Sequence, residues 1–213
     1  MITRPTAVLA VLLLSACSGG SKATGPAPSQ PAFTAPAPGV TLPPDALSRL
    51  VPAPDEVPPG MILIVKGSGP RDLMTVAGYS STGKGPQATA AVNAAAAKLR
   101  AHGFVKAYVA QYVNTATGAV ISVVASSFGT KAGAAADFAD DEKAVSGTTT
   151  IVERVGEASS ATVQPVPGSV AAQLLLLRFR AGTTTWSLAF QAAPKADTAT
   201  AVALAKVLVG RAG

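Results

Sequence analysis

Alternation of apolar and polar residues dominates the second half of the chain. Residues 105–114 and 119–127 show the period-two pattern of strands, and a turn is predicted between them at residues 115–118. A helix is then predicted from about residue 131 to residue 145, with Phe138 as its main apolar side chain. The pattern therefore predicts a strand hairpin followed by a helix, which is a ββα unit.

The same order of elements returns later in the chain. The second unit comprises a strand at 170–180, a turn at 181–183, a strand at 184–191 and a helix from Asp197, its N-cap, to Val209. Gly118 aligns with Gly182, and Lys131 aligns with Lys195. The repetition indicates either an ancient duplication or two independent copies of a common unit, and the sequence leaves both open.

The pairing of these strands follows from their pattern and their short connections. In the last strand Trp186, Leu188 and Phe190 alternate with small or polar residues, so they are expected to point inward. Period-two strands joined by tight turns form antiparallel sheets. Helices with Ala-rich apolar faces would cover one side of this sheet. We therefore expect an α+β fold, an antiparallel sheet covered on one face by helices and built from two ββα units.

The elements outside the two units are less regular, apart from one helix. That helix is predicted from Gln87 to His102, with Pro86 near its first position and Gly103 at its C-terminal cap. The other predicted elements are a helical turn at 45–50 with Asp45 as N-cap, a buried strand at 61–65, a turn at 67–71, a strand at 72–79, a strand at 149–155 and a loop at 156–169.

The first residues have the pattern of an export signal. Arg4 gives a short basic region, and residues 7–14 form an apolar run far below the roughly 20 residues that span a bilayer. The residues Leu14-Ser15-Ala16-Cys17 resemble a lipobox, in which small residues enter a peptidase and the Cys17 thiolate accepts the lipid. We expect a lipoprotein signal peptide at 1–16, lipidation (palmitate) of Cys17 and an extracytoplasmic protein anchored to the cell membrane.

A tether and one domain are predicted after the signal. Residues 17–44 are rich in Pro, Ala and Ser and bury almost nothing, which is typical of a flexible linker. Residues 45–213 are long enough for a single domain with its own core. Cys17 is the single cysteine of the chain, so no disulfide supports that domain.

Composition limits the partners of the chain. The net charge of +6 at pH 7 falls to +5 once Arg4 is removed, and such a weak excess does not indicate a nucleic-acid binder. The membrane is the predicted partner, through the N-terminal lipid. An apolar ligand or an envelope protein is the other candidate, and the oligomeric state stays open.

Taken together, these motifs resemble the small secreted lipoproteins of actinobacteria. The resemblance rests on the lipobox, the Pro/Ala tether, the opening Leu42-Pro43-Pro44-Asp45 to Val57-Pro58-Pro59-Gly60, and the ββα units. Several such proteins carry PsbP/Mog1-like or kinase-sensor-like domains. The chain departs from the sensor-type domains because it lacks their paired cysteines. The resemblance implies binding or envelope-associated roles without catalysis.

Catalytic chemistry finds little support in the sequence. A Ser-His-Asp triad needs a histidine base, and the single histidine, His102, falls at a helix end where it suits the helix dipole. One histidine and a lipidated cysteine leave no ordinary metal site, and no cofactor is expected. A glycan-acting hydrolase of the cell envelope remains the alternative. Its two carboxylates would come from Asp72, Glu153, Glu157 and the acidic residues at 137–142, and they must stand about 5–9.5 Å apart.

Two residue pairs are candidates for a ligand groove. Tyr108 and Tyr112 share one face of a strand, and Arg178 and Arg180 share one face of another. The tyrosines could line an apolar groove or belong to the core. The arginines could meet an anionic ligand or pair with acids such as Glu153. The acidic residues Asp137, Asp140, Asp141 and Glu142 are expected to form a solvated helix face, because a calcium loop would need a central glycine.

Overall fold

The computed structural model of the protein describes residues 41–79, 85–144, 147–166, 169 and 171–212. The signal peptide, the lipobox with Cys17 and the tether up to residue 40 lie outside these residues. The described chain already contacts the domain at Leu42, which packs against the core.

Four helices and eight strands make up the described fold. The helices are α1 (Leu73–Gly78), α2 (Pro86–Ala101), α3 (Lys131–Ala144) and α4 (Thr198–Gly210). The strands are β1 (Ile62–Leu63), β2 (Gly69–Arg71), β3 (Phe104–Val113), β4 (Val120–Phe128), β5 (Thr148–Thr150), β6 (Ala158–Pro165), β7 (Gln173–Ala181) and β8 (Thr184–Ala192).

The strands form one antiparallel sheet in the order β1-β3-β4-β8-β7-β6-β5, and β2 also pairs with β3. Its centre is the pair β4 and β8, which runs in register from Val120 opposite Gln191 to Ser127 opposite Thr184. The predicted α+β class and the antiparallel sheet are confirmed. The two ββα units are also present, as β3-β4-α3 and β7-β8-α4.

Helices lie on both faces of this sheet. Successive side chains of β7 point to opposite faces. Leu175 and Leu177 share a core cluster with Leu208 of α4. Arg178 points the other way and donates from Nη1 to the carbonyl oxygen of Asp141 in α3, at 2.8 Å. We call the two sides the α4 face and the α3 face.

The expectation of helices on one face is therefore corrected for α4. Helices α1, α2 and α3 all border a cavity on the α3 face, whereas α4 covers the opposite face. The physical reason is that β7 contains four consecutive leucines, 174–177, so that both of its faces are apolar. A continuous apolar run is typical of a strand covered on both sides.

The two ββα units do not share one arrangement. Because β4 and β8 are antiparallel neighbours, a rotation about an axis perpendicular to the sheet superposes one hairpin on the other. That rotation leaves the faces of the sheet unchanged, but α3 and α4 lie on opposite faces. The geometry thus favours two independent occurrences of a common hairpin-and-helix unit over a duplication that kept a symmetric arrangement.

A proline-rich segment at 42–59 completes the layer on the α4 face. Leu50, Val51 and Val57 of this segment are buried in the core cluster. Three buried side chains of the sheet donate to its carbonyl oxygens: Tyr108 to Pro43 at 2.6 Å, Tyr112 to Pro52 at 2.5 Å and the Trp186 indole to Leu50 at 2.7 Å. Irregular backbone that a core covers needs such partners, and here the side chains of the sheet supply them.

Three short elements before α2 differ from the prediction. Residues 72–79 are not a strand: Asp72 accepts from the backbone N–H of Thr75 at 2.8 Å and so caps α1. The predicted turn at 67–71 contains strand β2, and the predicted strand at 61–65 is reduced to β1. The chain turns between β1 and β2 to pair twice with β3, and a Cβ on Gly67 would lie 2.1 Å from Oε1 of Gln111.

The observed elements also differ from the predicted ones around β5 and β6 and at the N-terminal helical turn. The predicted strand at 149–155 is limited to β5, and the predicted loop at 156–169 contains β6. The residues of β6 are small and polar, and this strand forms because β5 and β7 pair with its two sides. Near the N-terminus the helical turn predicted at 45–50 is present as a 3-10 turn at Ser48–Leu50, and Asp45 accepts from the N–H of Leu47 at 2.8 Å.

The regular elements were predicted well. The helix predicted from residue 87 to residue 102 is α2, and Gly103 after it has a φ of 72°, as a C-terminal cap requires. Asp197 is the N-cap of α4 and accepts from the N–H of Ala199 at 3.0 Å. Within the described ranges no helix is both long and apolar enough to cross a membrane.

Candidate functional site: a cavity under the helices of the α3 face

A cavity of about 250 Å³ lies between the sheet and the helices α1, α2 and α3. Its floor is formed by β4, β7 and β8, with a contribution from β6. The apolar part of its wall consists of Val76, Leu99, Phe138, Leu174, Leu176 and Ala189. The charged side chains at the cavity come from α2, α3 and β7. Pockets that are mostly apolar with a few convergent polar groups are typical small-molecule sites.

Asp137 of α3 is a carboxyl group held in this cavity. Its side chain is 14% exposed, and its Oδ2 accepts from the hydroxyl of Thr185 at 3.2 Å. Burial, followed by the negative charge of Asp141, raises the pKa of Asp137 to about 7. The group can therefore gain or lose its proton near neutral pH.

His102 stands at the end of α2 and faces two acids of α3. Its Nδ1 lies 3.9 Å from Oδ1 of Asp137, and its Nε2 lies 3.8 Å from Oδ2 of Asp140. The ring is 17% exposed, and its buried Nδ1 has no hydrogen-bond partner among the described residues. Since both acids lie beyond hydrogen-bond distance, the imidazole retains unused capacity inside the cavity.

A glycine lets α3 approach His102. A Cβ placed on Gly133 would lie 1.9 Å from the carbonyl oxygen of His102, so only glycine allows this contact. The close approach sets the first turn of α3 against the end of α2. It thereby brings Asp137 and Asp140, on the following turns of α3, opposite the histidine ring.

Asp140 forms ion pairs with two lysines. Lys143 lies 3.3 Å from it and Lys98 lies 3.7 Å from it. The hydrogen bond from Lys143 is the main reason that the pKa of Asp140 is below its usual range. Asp140 is therefore a charged, paired group at the cavity, in contrast to Asp137.

Arg178 is the buried cation of the cavity. The residue is 4% exposed, and one of its nitrogens, Nη1, donates to the carbonyl oxygen of Asp141. The other two, Nε and Nη2, are buried and have no hydrogen-bond partner in the described chain. Burial lowers the pKa of Arg178. A buried charge with unused donors is costly unless another group satisfies them.

The structure does not bring the four predicted groove residues together. Tyr108 and Tyr112 are fully buried on the α4 face, and their hydroxyls bond to the proline-rich segment. Arg178 lies on the α3 face and borders the cavity. Arg180 shares that face but pairs with Glu157. Glu153, which was considered as a partner of the arginines, pairs with Lys206 at 2.7 Å. The predicted groove is therefore not formed by these residues, and Arg178 alone belongs to the observed cavity.

The expectation of a solvated face holds for part of the acidic run of α3. Asp141 and Glu142 are exposed and the Asp140 side chain is 33% exposed, whereas the Asp137 side chain is only 14% exposed. Asp137, Asp140 and Asp141 all border the cavity. Helix α3 has alanines on several sides, so its sequence does not show which side meets the sheet. The nearest signal was Thr185, a polar residue whose side chain is directed to the α3 face in an otherwise buried strand. The sequence places His102 at a helix end but does not show that it lies opposite α3.

The acids proposed for glycan hydrolysis are separated. Asp72 caps α1, Glu153 pairs with Lys206, and Glu157 accepts from Arg180 and from the N–H of Gly182. The carboxyls at the cavity all come from one helix, α3. Among the described residues there is no group of three or more His, Cys, Asp or Glu side chains that could hold a metal ion.

The fold and the cavity define a class, an antiparallel α+β domain with helices on both faces and a partly open cavity between the sheet and three of its helices. No protein-family model and no curated protein shows a significant match to the chain. Among solved structures, the chain is similar to the extracellular domain of PknH from Mycobacterium tuberculosis, with 14% sequence identity and a TM-score of 0.38. The match covers 54% of this chain and 68% of that one. A likeness at this level transfers no function.

Proposed function

We propose that the protein is a non-catalytic binding module that holds an apolar or amphipathic small molecule in the cavity on the α3 face. The observation that carries the proposal is a largely apolar cavity bordered by buried polar atoms that have no hydrogen-bond partner in the described part of the chain, namely Nδ1 of His102 and Nε and Nη2 of Arg178. An apolar ligand body would cover the wall, and a polar end would satisfy these groups.

The N-terminal sequence supplies the location in this proposal. A lipid on Cys17 would anchor the protein on the extracytoplasmic face of the cell membrane, and the Pro-rich tether would hold the domain off the surface. At about 3.1 Å per residue in polyproline II, such a tether extends up to ~80 Å. A ligand that partitions between membrane and water would then be within reach of the domain.

Two other functions compete with this proposal. An envelope protein could be the partner in place of a small molecule. An enzyme is the second alternative, and the position of His102 Nδ1, 3.9 Å from the Asp137 carboxyl with its pKa of about 7, favours it. Against catalysis, the acids at the cavity come from a single helix, which does not place carboxylates on both sides of a substrate.

Filling the cavity tests the proposal. Ala95 of α2 borders the cavity, whereas Ala97 on the same helix is exposed and does not. Ala95→Phe should abolish binding of an environment-sensitive apolar dye to the purified protein, and Ala97→Phe should leave it unchanged. If the wild-type protein binds no dye, or if both variants bind like it, the cavity is not the binding site.

A further inference from the structure

The unpaired nitrogens of Arg178 identify the polar end of the ligand. We propose that the ligand carries a single carboxylate, which binds to the edge of the Arg178 guanidinium formed by Nε and Nη2. This inference rests on the proposed binding function and adds the chemical class of the ligand, a monocarboxylic amphiphile.

The geometry of the guanidinium selects a planar anion. Its Nε–H and Nη2–H lie on the same edge and point in the same direction, so they match the two oxygens of one carboxylate. The remaining nitrogen, Nη1, is already engaged by the carbonyl oxygen of Asp141 at 2.8 Å. The edge that has no partner in the described chain is thus the one that can form two parallel hydrogen bonds.

Among the residues that the structure describes, no carboxylate pairs with this edge. The negative charges of Asp141 and Glu142 attract Arg178 at longer range. Neither residue forms an ion pair with it within 4.0 Å among the described residues. Glu142 instead accepts from the hydroxyl of Ser160. Protein atoms cover Nε and Nη2, so the proposed contact requires neighbouring side chains to move aside before the ligand carboxylate can reach them.

The charges around the cavity favour a monoanion over a dianion. Asp137, Asp140 and Asp141 of α3 face this space together with Arg178, His102 and Lys98. Lys98 is already paired with Asp140, so that among the described residues at the cavity Arg178 is the fixed cation available to a ligand. A phosphate dianion would place a second negative charge beside three carboxyl groups, which is unfavourable. The apolar wall takes the rest of the ligand.

Octanoate, octanol and octyl phosphate are suitable probes, because they share one chain and differ in the head group. Their binding to the purified full-length protein should be measured by calorimetry for the wild type, Arg178→Lys and Arg180→Lys. Arg180 lies two residues away on the same face, pairs with Glu157 and does not border the cavity, so it is the matched control. Lysine keeps the charge but loses the two-pronged edge.

We expect octanoate to bind the wild type more tightly than octanol or octyl phosphate do. Arg178→Lys should weaken octanoate binding by about tenfold or more and leave octanol binding unchanged, and Arg180→Lys should change neither. Equal affinities for octanoate and octanol would overturn the carboxylate inference and leave the proposed binding function intact. Failure of all three probes to bind would overturn the binding function itself.

A measurement on the wild type keeps the inference testable if Arg178→Lys does not fold. The Nε–H signal of Arg178 can be followed by 15N NMR, with assignment from its loss in a folded Arg178 variant or from side-chain correlation spectra. Saturating octanoate should shift this signal strongly, and octanol should not. A signal that stays in place while octanoate binds would show that the carboxylate does not reach Arg178.

Discussion

Buried polar residues on the two faces of the sheet differ in their hydrogen bonding. On the α4 face the buried polar atoms of Tyr108, Tyr112 and Trp186 each have a short hydrogen bond to the proline-rich segment. On the α3 face His102 and Arg178 have buried nitrogens that no described residue hydrogen-bonds. The contrast leads us to expect a stabilising role for the first group, and it supports the ligand role proposed above for the second.

The hydroxyl of Tyr112 should stabilise the domain. Tyr112→Phe removes its bond to the buried carbonyl of Pro52, and we expect a loss of about 1–3 kcal/mol of unfolding free energy. Tyr79→Phe is the control, because its hydroxyl accepts a longer bond of 3.3 Å from Arg71. Urea unfolding followed by the fluorescence of Trp186 measures both. An equal, small effect of the two changes would contradict the anchoring role of Tyr112.

Asp137 should make the domain less stable as pH rises. Its pKa of about 7 in the folded protein exceeds the value of 3.8 for an exposed aspartate, so the folded state binds the additional proton. Stability from this group is complete below pH 4 and is lost as pH rises through 7. The unfolding free energy of Asp137→Asn should therefore rise relative to that of the wild type between pH 4 and pH 8, by on the order of a few kcal/mol.

Thermal unfolding at a series of pH values tests this expectation. The groups facing Asp137 are His102 and Lys98 on α2, Asp140 and Asp141 on its own helix, and Thr185 on β8. Asp140→Asn is the control with the opposite sign: the pKa of Asp140 is lowered, so its contribution is lost only as pH falls into the acid range. A difference between Asp137→Asn and the wild type that does not change from pH 4 to pH 8 would contradict the burial of Asp137.

Helices and strands were predictable where their own sequence decides their structure. The long strands β3, β4 and β8 follow period-two patterns, β7 is a continuous apolar run, and α2 and α4 carry clear caps. In contrast, α1 depends on the cap at Asp72 and on its packing against α2, and β6 depends on pairing with strands on both sides. The position of α3 is set by Gly133, whose contact with His102 no local pattern reveals.

Gly133→Ala separates helix propensity from packing. Alanine in a helix is favoured over glycine by about 1 kcal/mol, so propensity alone predicts stabilisation. The clash of a Cβ with the carbonyl oxygen of His102 predicts a loss of about 1–3 kcal/mol instead. Gly210→Ala in α4 is the matched control, because nothing lies within 4 Å of its Cβ position. We expect Gly133→Ala to lower the melting temperature and Gly210→Ala to leave it unchanged or raise it.

At the scale of the whole molecule, the sequence reveals the fold class but not the cavity. The antiparallel α+β class follows from patterns within each element. The cavity depends on which residues of α2, α3, β7 and β8 meet, and His102, Asp137 and Arg178 are far apart in the chain. Each of them had a plain local interpretation: a helix-end histidine, a solvated acid and a paired arginine. Only the three-dimensional arrangement relates them.

The predicted anchor is testable on the whole protein. Cys17→Ala removes the residue that would accept the lipid, so the protein should move from the detergent phase to the aqueous phase in a phase-partitioning experiment. Ser18→Ala changes the next residue and should leave partitioning unchanged. If Cys17→Ala partitions like the wild type, the lipobox interpretation is wrong.

The central claim, that the cavity carries a small molecule, is tested most directly by native mass spectrometry of full-length protein purified gently from an actinobacterial host. Wild type and Ala97→Phe should show a mass excess that disappears on denaturation, and Ala95→Phe should show the bare polypeptide. An equal mass excess on Ala95→Phe would place the ligand outside the cavity. The mass of the bare polypeptide in all three proteins would contradict the claim that the protein carries a small molecule.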